Sequence, residues 1–143
     1  MYSIEPTKRQ IKIIMKAFKP KGWKIIEWGK HDGKACPILR TICVPKVINK
    51  WALGYYLHEC GHVHLGHVLL GNRNIQNPPG SYCKWHMFEA EAELFSFKAL
   101  EACGFPPEEE YIQAAKDYVK TMIADDERFN RRIDPIVRVW ANS

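Results

Sequence analysis

The sequence predicts an α+β fold in one domain spanning residues 1–143. Three observations predict it: an amphipathic helix opens the chain, two apolar runs rich in β-branched residues follow, and the rest reads as helices separated by Gly and Pro. A hydrophobic content of 46% and a charged content of 26% are those of an ordinary globular protein, long enough to build a core without disulfide or metal staples.

Thr7 is placed to cap a helix running to about Phe18, with Ile11, Ile14, Met15 and Phe18 on one face. KPKG at 19–22 ends it. WKIIEW (23–28) reads as a strand, and GKHDGKA (29–35) as a turn built on Asp32-Gly33, a hairpin signal that makes the small sheet mostly antiparallel. CPILRTICVP (36–45) reads as the second strand, with prolines that suit a sheet edge. A helix is expected from Lys46 to about Leu70, interrupted only by isolated glycines, and GNRNIQNPPGSYCK (71–84) is a loop by composition. The next helix, 85–103, stops at Gly104 and the prolines behind it. EEEYIQAAKDYVKTMIA starts a third with acids in its first turn, as the helix dipole favours. A last amphipathic piece, from about Asp126 to Trp140, breaks at Asp134-Pro135.

Five cysteines with no CxxC pair argue against a disulfide framework and a cysteine-only zinc knuckle, and most are expected to be buried thiols. No apolar run is long enough to span a membrane and the N-terminus lacks a signal-peptide core, so the expected compartment is the cytoplasm. Residues 1–50 carry twelve Lys/Arg against three acids, whereas the remaining residues carry nine against thirteen. The basic half permits contact with nucleic acid without demanding it, because lysines outnumber arginines there ten to two and arginine leads base readout.

HECGHVHLGH (58–67) holds four of the six histidines. On a helix His62 falls about 40° from His58 and one turn along, so both rings reach one ion. Glu59, at about 100°, misses that ion and reaches a water beside it. This is the H-E-x-x-H pattern of zinc hydrolases, in which the metal acidifies its water and the carboxylate takes the proton. On a continued helix His64 and His67 fall on its side or back, as surface or supporting residues, and the spacing to His67 does not match the metzincin motif. A catalytic zinc needs a third protein ligand. HMFEAEAELF offers Glu89 and Glu93 on one face with His86 beside them. Glu89 is the preferred ligand and Glu93 the preferred partner for a histidine's free nitrogen; Glu91 and Glu93 remain alternative ligands.

HECGH, the following Gly66-His67, the ICVP strand and EAEAELF together resemble the ImmA/IrrE family of zinc metallopeptidases over roughly residues 36–103. The resemblance implies a minimal zincin-like, thermolysin-type core and a gluzincin site. In it His58, His62 and Glu89 hold one Zn2+ per chain and Glu59 is the catalytic base. Such proteins often belong to phages or mobile elements, and some cleave repressors. Glu93 stands where relatives usually carry Asn or Asp, and Cys60 where they carry an aliphatic residue.

The expected activity is therefore hydrolysis of a protein or peptide laid along an edge strand at Ile38–Val44. Tyr82, His86 and Tyr111 are the candidate donors to the oxyanion. The rival reading is a non-catalytic or DNA-associated zincin-fold binder that uses the basic half. A di-iron carboxylate bundle needs two correctly ordered Glu-x-x-His pairs, and the sequence has one.

Overall fold

A computed structural model describes residues 4–29, 32–67 and 84–143. Among these residues five helices and a three-stranded sheet follow in the order α1 (Lys8–Phe18), β1 (Lys24–Trp28), β2 (Lys34–Cys36), β3 (Thr41–Pro45), α2 (Lys50–His64), α3 (Lys84–Ala102), α4 (Glu109–Arg128) and α5 (Pro135–Ala141). The α+β expectation holds.

α1 starts as Thr7 predicts: its hydroxyl accepts from the Gln10 N–H at 3.1 Å while Gln10 accepts from the Thr7 N–H at 2.8 Å. Ile11 and Ile14 enter the core, where they meet Ile42 and Val44 of β3, Leu53, Tyr56, Leu57 and Cys60 of α2, and Leu100 of α3. Each fully buried aliphatic side chain of this set contributes about 1.5–3 kcal/mol. The Tyr56 hydroxyl donates to the Met15 carbonyl at 2.6 Å, tying α1 to α2.

The sheet departs from the expected hairpin. Its order is β1-β3-β2, with β1 parallel to β3 over five residue pairs and β2 antiparallel to β3 over three. The run 36–45 is two strands, because Pro37 has no N–H for a ladder and Arg40 turns the chain at φ 46°. The hairpin therefore closes at 37–40 and not at Asp32-Gly33, and the sheet is mixed rather than mostly antiparallel. β3 is consequently the central strand. The edge next to α2 is β2, so Ile38–Val44 does not form the edge expected of it.

α2 is shorter than the expected 46–70. Asn49 caps it, accepting from the Ala52 N–H at 2.9 Å, and it ends at His64 before Gly66 at φ 77°. The glycines inside it serve close approach. A Cβ on Gly54 would stand 2.3 Å from the Tyr111 hydroxyl, and one on Gly61 3.0 Å from the Phe95 ring, so α3 and α4 pack directly on the backbone of α2. α3 ends in a Schellman turn, Phe105 N–H to Leu100 O and Gly104 N–H to Glu101 O. α4 runs past the expected end of the third helix to Arg128, and the expected break at Asp134-Pro135 is where α5 starts, capped by Asp134 with Pro135 at its first position. Among the described cysteines none is disulfide-bonded; Cys60 is buried, while Cys36, Cys43 and Cys103 are half-buried. Among the described residues no helix is long and apolar enough to cross a membrane.

Candidate metal centre

His58 and His62 lie one turn apart on the face of α2 that meets α3, and Glu89 faces them from the second turn of α3. The two Nε2 atoms stand 3.0 Å apart, and Glu89 Oε2 lies 2.9 Å from the first and 3.3 Å from the second. Each ring can turn an Nε2–H to the Glu89 carboxylate, but two such hydrogens would face each other across 3.0 Å, whereas two lone pairs and the carboxylate can share one cation. Donors around a tetrahedral first-row metal with bonds of ~2.0–2.1 Å stand about 3.3 Å apart. The trio therefore fits a cation, and it is the group among the described residues whose donor atoms gather within 4.8 Å. The sequence preference for Glu89 over Glu91 and Glu93 agrees with this placement.

Glu93 takes the supporting position expected of it. Its Oε1 lies 2.7 Å from Nδ1 of His58, a close ion-pair contact that is off the direction of a good hydrogen bond. Burial opposes a proton on His58, but Glu93 and Glu89 outweigh it and raise its pKa well above the ordinary value. Burial alone would raise the Glu89 carboxyl; hydrogen bonds and charge from His58 and His62 reverse that and hold it far below the carboxylate range. Glu59 sits apart from the trio, with Oε1 3.9 Å from His58 Nε2. Burial, offset in part by the two histidines, pushes its pKa above 4.5. A carboxylate raised by burial beside this corner is a stronger proton acceptor than an ordinary glutamate. Gly33 makes room for it: a Cβ there would lie 2.9 Å from Glu59 Cγ.

His67 is where helical extrapolation failed. Because α2 ends at His64 and Gly66 reverses the chain, His67 folds back on the metal corner instead of lying on the back of the helix. It is buried, stacks on Phe88 with ring centroids 4.1 Å apart, and places Nδ1 3.0 Å from Nδ1 of His62 and Nε2 2.8 Å from Glu91 Oε2. Burial lowers its pKa. Gly66 was the readable signal, since a glycine after the last apolar position marks a helix end. His64 turns the other way, with its Nε2 2.8 Å from the Phe18 carbonyl.

His86 does not reach the centre. It is fully buried, its Nδ1 3.0 Å from Asp126 Oδ2 and its Nε2 accepting from the Asp134 N–H at 3.0 Å, which ties α3 to α4 and to the start of α5. Tyr111 lines a cavity beside Glu59, but its hydroxyl lies 3.3 Å from Ser96 Oγ in the packed α2–α3–α4 interface, and burial raises its pKa far beyond the usual tyrosine range. Tyr82 and the 71–83 stretch of the expected loop lie outside the described residues.

Two open cavities meet at Glu59. One, of about 430 Å³, runs past β2 from Gly33 to Ile38 and is floored by His62 and Glu89. The other, of about 250 Å³, is walled by Trp51, Tyr55 and Tyr111. Gly33, Glu59 and Tyr118 border both. Tyr118, whose ring meets His58 edge-on at 6.4 Å, was not singled out in the sequence, since only the packing of α4 brings it there.

No family model, curated protein or solved structure matches the chain.

Proposed function

We propose that the protein is a zinc-dependent, gluzincin-like peptidase that hydrolyses a bond in an extended protein segment. The observation that carries this reading is the convergence of His58, His62 and Glu89 within bonding distance of one cation, with Glu59 just outside the shell at an open groove. The resemblance of HECGH and EAEAELF to the ImmA/IrrE family supports it, and a regulatory protein of a phage or mobile element is the substrate that resemblance suggests.

Zinc held by the three ligands supplies an acidified water and a Lewis acid for the scissile carbonyl. The substrate backbone adds to the outer edge of β2, which pairs with no further strand among the described residues and borders the groove, by main-chain hydrogen bonds. Glu59 takes the proton from the attacking water and hands it to the leaving amine. Among the described residues Tyr118, in place of His86 and Tyr111, is the donor to the developing oxyanion, because it borders both cavities at the reacting carboxylate.

Glu59→Gln tests the reading directly. Hydrolysis of a quenched-fluorescence peptide library should fall by about 10²–10⁴-fold while zinc stays bound. Unchanged hydrolysis in that variant, or a wild-type chain that takes up no zinc, refutes the proposal. Tyr118→Phe should lower kcat by about 10²-fold and leave KM nearly unchanged.

A further inference from the structure

The two histidine ligands differ in what stands behind them. Glu93 backs His58 directly. Behind His62 stands another imidazole, and behind that a carboxylate: His62 Nδ1 to His67 Nδ1 at 3.0 Å, then His67 Nε2 to Glu91 Oε2 at 2.8 Å.

Proton placement fixes the direction of this chain. A neutral imidazole carries one N–H and one lone pair. If His62 gives the Nε2 lone pair to a cation, its hydrogen must sit on Nδ1. That hydrogen can then be donated only to a lone pair on Nδ1 of His67. His67 in turn keeps its hydrogen on Nε2, aimed at the Glu91 carboxylate. Every atom in the series has one role, and the stack on Phe88, with planes 12° apart, fixes the His67 ring in the orientation the series requires.

We propose that His67 and Glu91 are positioning residues for His62, selecting its metal-binding tautomer and holding its ring in place, where His58 has only the close Glu93 carboxylate behind it. The inference rests on the metal reading above. It adds that the two ligands are held unequally: Glu93 is a buried carboxylate in direct contact, whereas the His62 series ends in a carboxylate that is 49% exposed. His62 is the more loosely held ligand, and its support is the part of the centre that water reaches.

The test is zinc affinity, measured on the full chain by competition with a chromophoric chelator, together with the visible spectrum of the cobalt-substituted protein. His67→Phe keeps the stack on Phe88 and removes both nitrogens; it should weaken zinc by about 10–100-fold and alter the cobalt spectrum. His67→Asn puts an amide oxygen where Nδ1 stood and should recover most of that loss. Glu91→Ala should lie at the low end, about tenfold. The melting temperature of the chelated His67→Phe protein reports packing separately. Zinc affinity within about twofold of wild type in both His67→Phe and Glu91→Ala, with Glu89→Ala still losing the metal, overturns the positioning role and leaves the metal reading standing. A wild-type chain that binds no zinc overturns both. If His67→Phe fails to fold, Glu91→Ala decides, because its half-exposed side chain is not needed for packing.

Discussion

Two buried histidine–carboxylate assemblies share α3, and they are built to opposite ends. At the inner corner, His86 bonds Asp126 at 3.0 Å, accepts the Asp134 N–H at 3.0 Å, and Asp126 is closed on its other oxygen by Arg131 at 3.1 Å. Both nitrogens of His86 and both oxygens of Asp126 have partners, and both residues are fully buried. At the outer corner, two imidazole nitrogens and a carboxylate oxygen converge on one point beside two open cavities, and hydrogens on both nitrogens would face each other across 3.0 Å. A matched network holds helices together; a mismatched one asks for a cation. Residue type does not separate the two corners. Counting protons against lone pairs does.

Breaking each corner should therefore give different losses. Asp126→Ala strands His86 and Arg131 and should cost about 3–5 kcal/mol in denaturant unfolding, with zinc stoichiometry unchanged in the folded fraction. Glu89→Ala should remove zinc and cost the chelated chain clearly less, since the cavities let water reach what is left behind. Equal destabilisation by the two changes, with metal retained in both, erases the distinction.

Gly33→Ala probes the boundary between fold and chemistry at the outer corner. The new methyl would stand 2.9 Å from Glu59 Cγ, so the carboxylate must shift while His58, His62 and Glu89 are left alone. Displacing a reacting group by about 1 Å costs up to about 10²-fold in rate. Peptide hydrolysis should fall by that order with zinc affinity preserved. A joint loss of both would show that Gly33 supports the sheet edge generally rather than Glu59.

How much of this was legible in the chain follows from range. The His58–Glu59–His62 arrangement is set by one helical turn, and Glu89 with Glu93 by another, so spacing alone placed them. Thr7, Gly104 and Pro135 spoke for their own turns. The strand order did not appear because parallel pairing of β1 with β3 joins residues 17 apart, as Lys24 with Thr41, with no local mark, and the Asp-Gly turn signal competed with Pro37 and Arg40. His67 was misplaced by a single step, the continuation of α2 past Gly66. Tyr118 and the His86–Asp126 pair depend on how α4 packs across α3, which periodicity does not encode.

The smallest effect sharpens the comparison through pH. A proton on His58 competes with a metal at Nε2. Burial disfavours that proton, but Glu93 and Glu89 hold it on to well above the ordinary histidine value, whereas Glu89 is already ionised. Zinc affinity should therefore tighten as pH rises above 6.5, by about tenfold per unit for the one proton displaced, until the raised value is passed. Stability of the chelated chain should move the opposite way. The raised pKa contributes stability that is fully present below pH 6.5 and is lost as pH climbs through the folded value. The depressed Glu89 pKa adds stability present above 4.5 and lost only in acid. The corner without metal is thus held together by a proton where the loaded corner is held by a cation, and the two melting curves should converge at low pH and part at high pH. Parallel curves across that range would mean that His58 exchanges no proton for the metal.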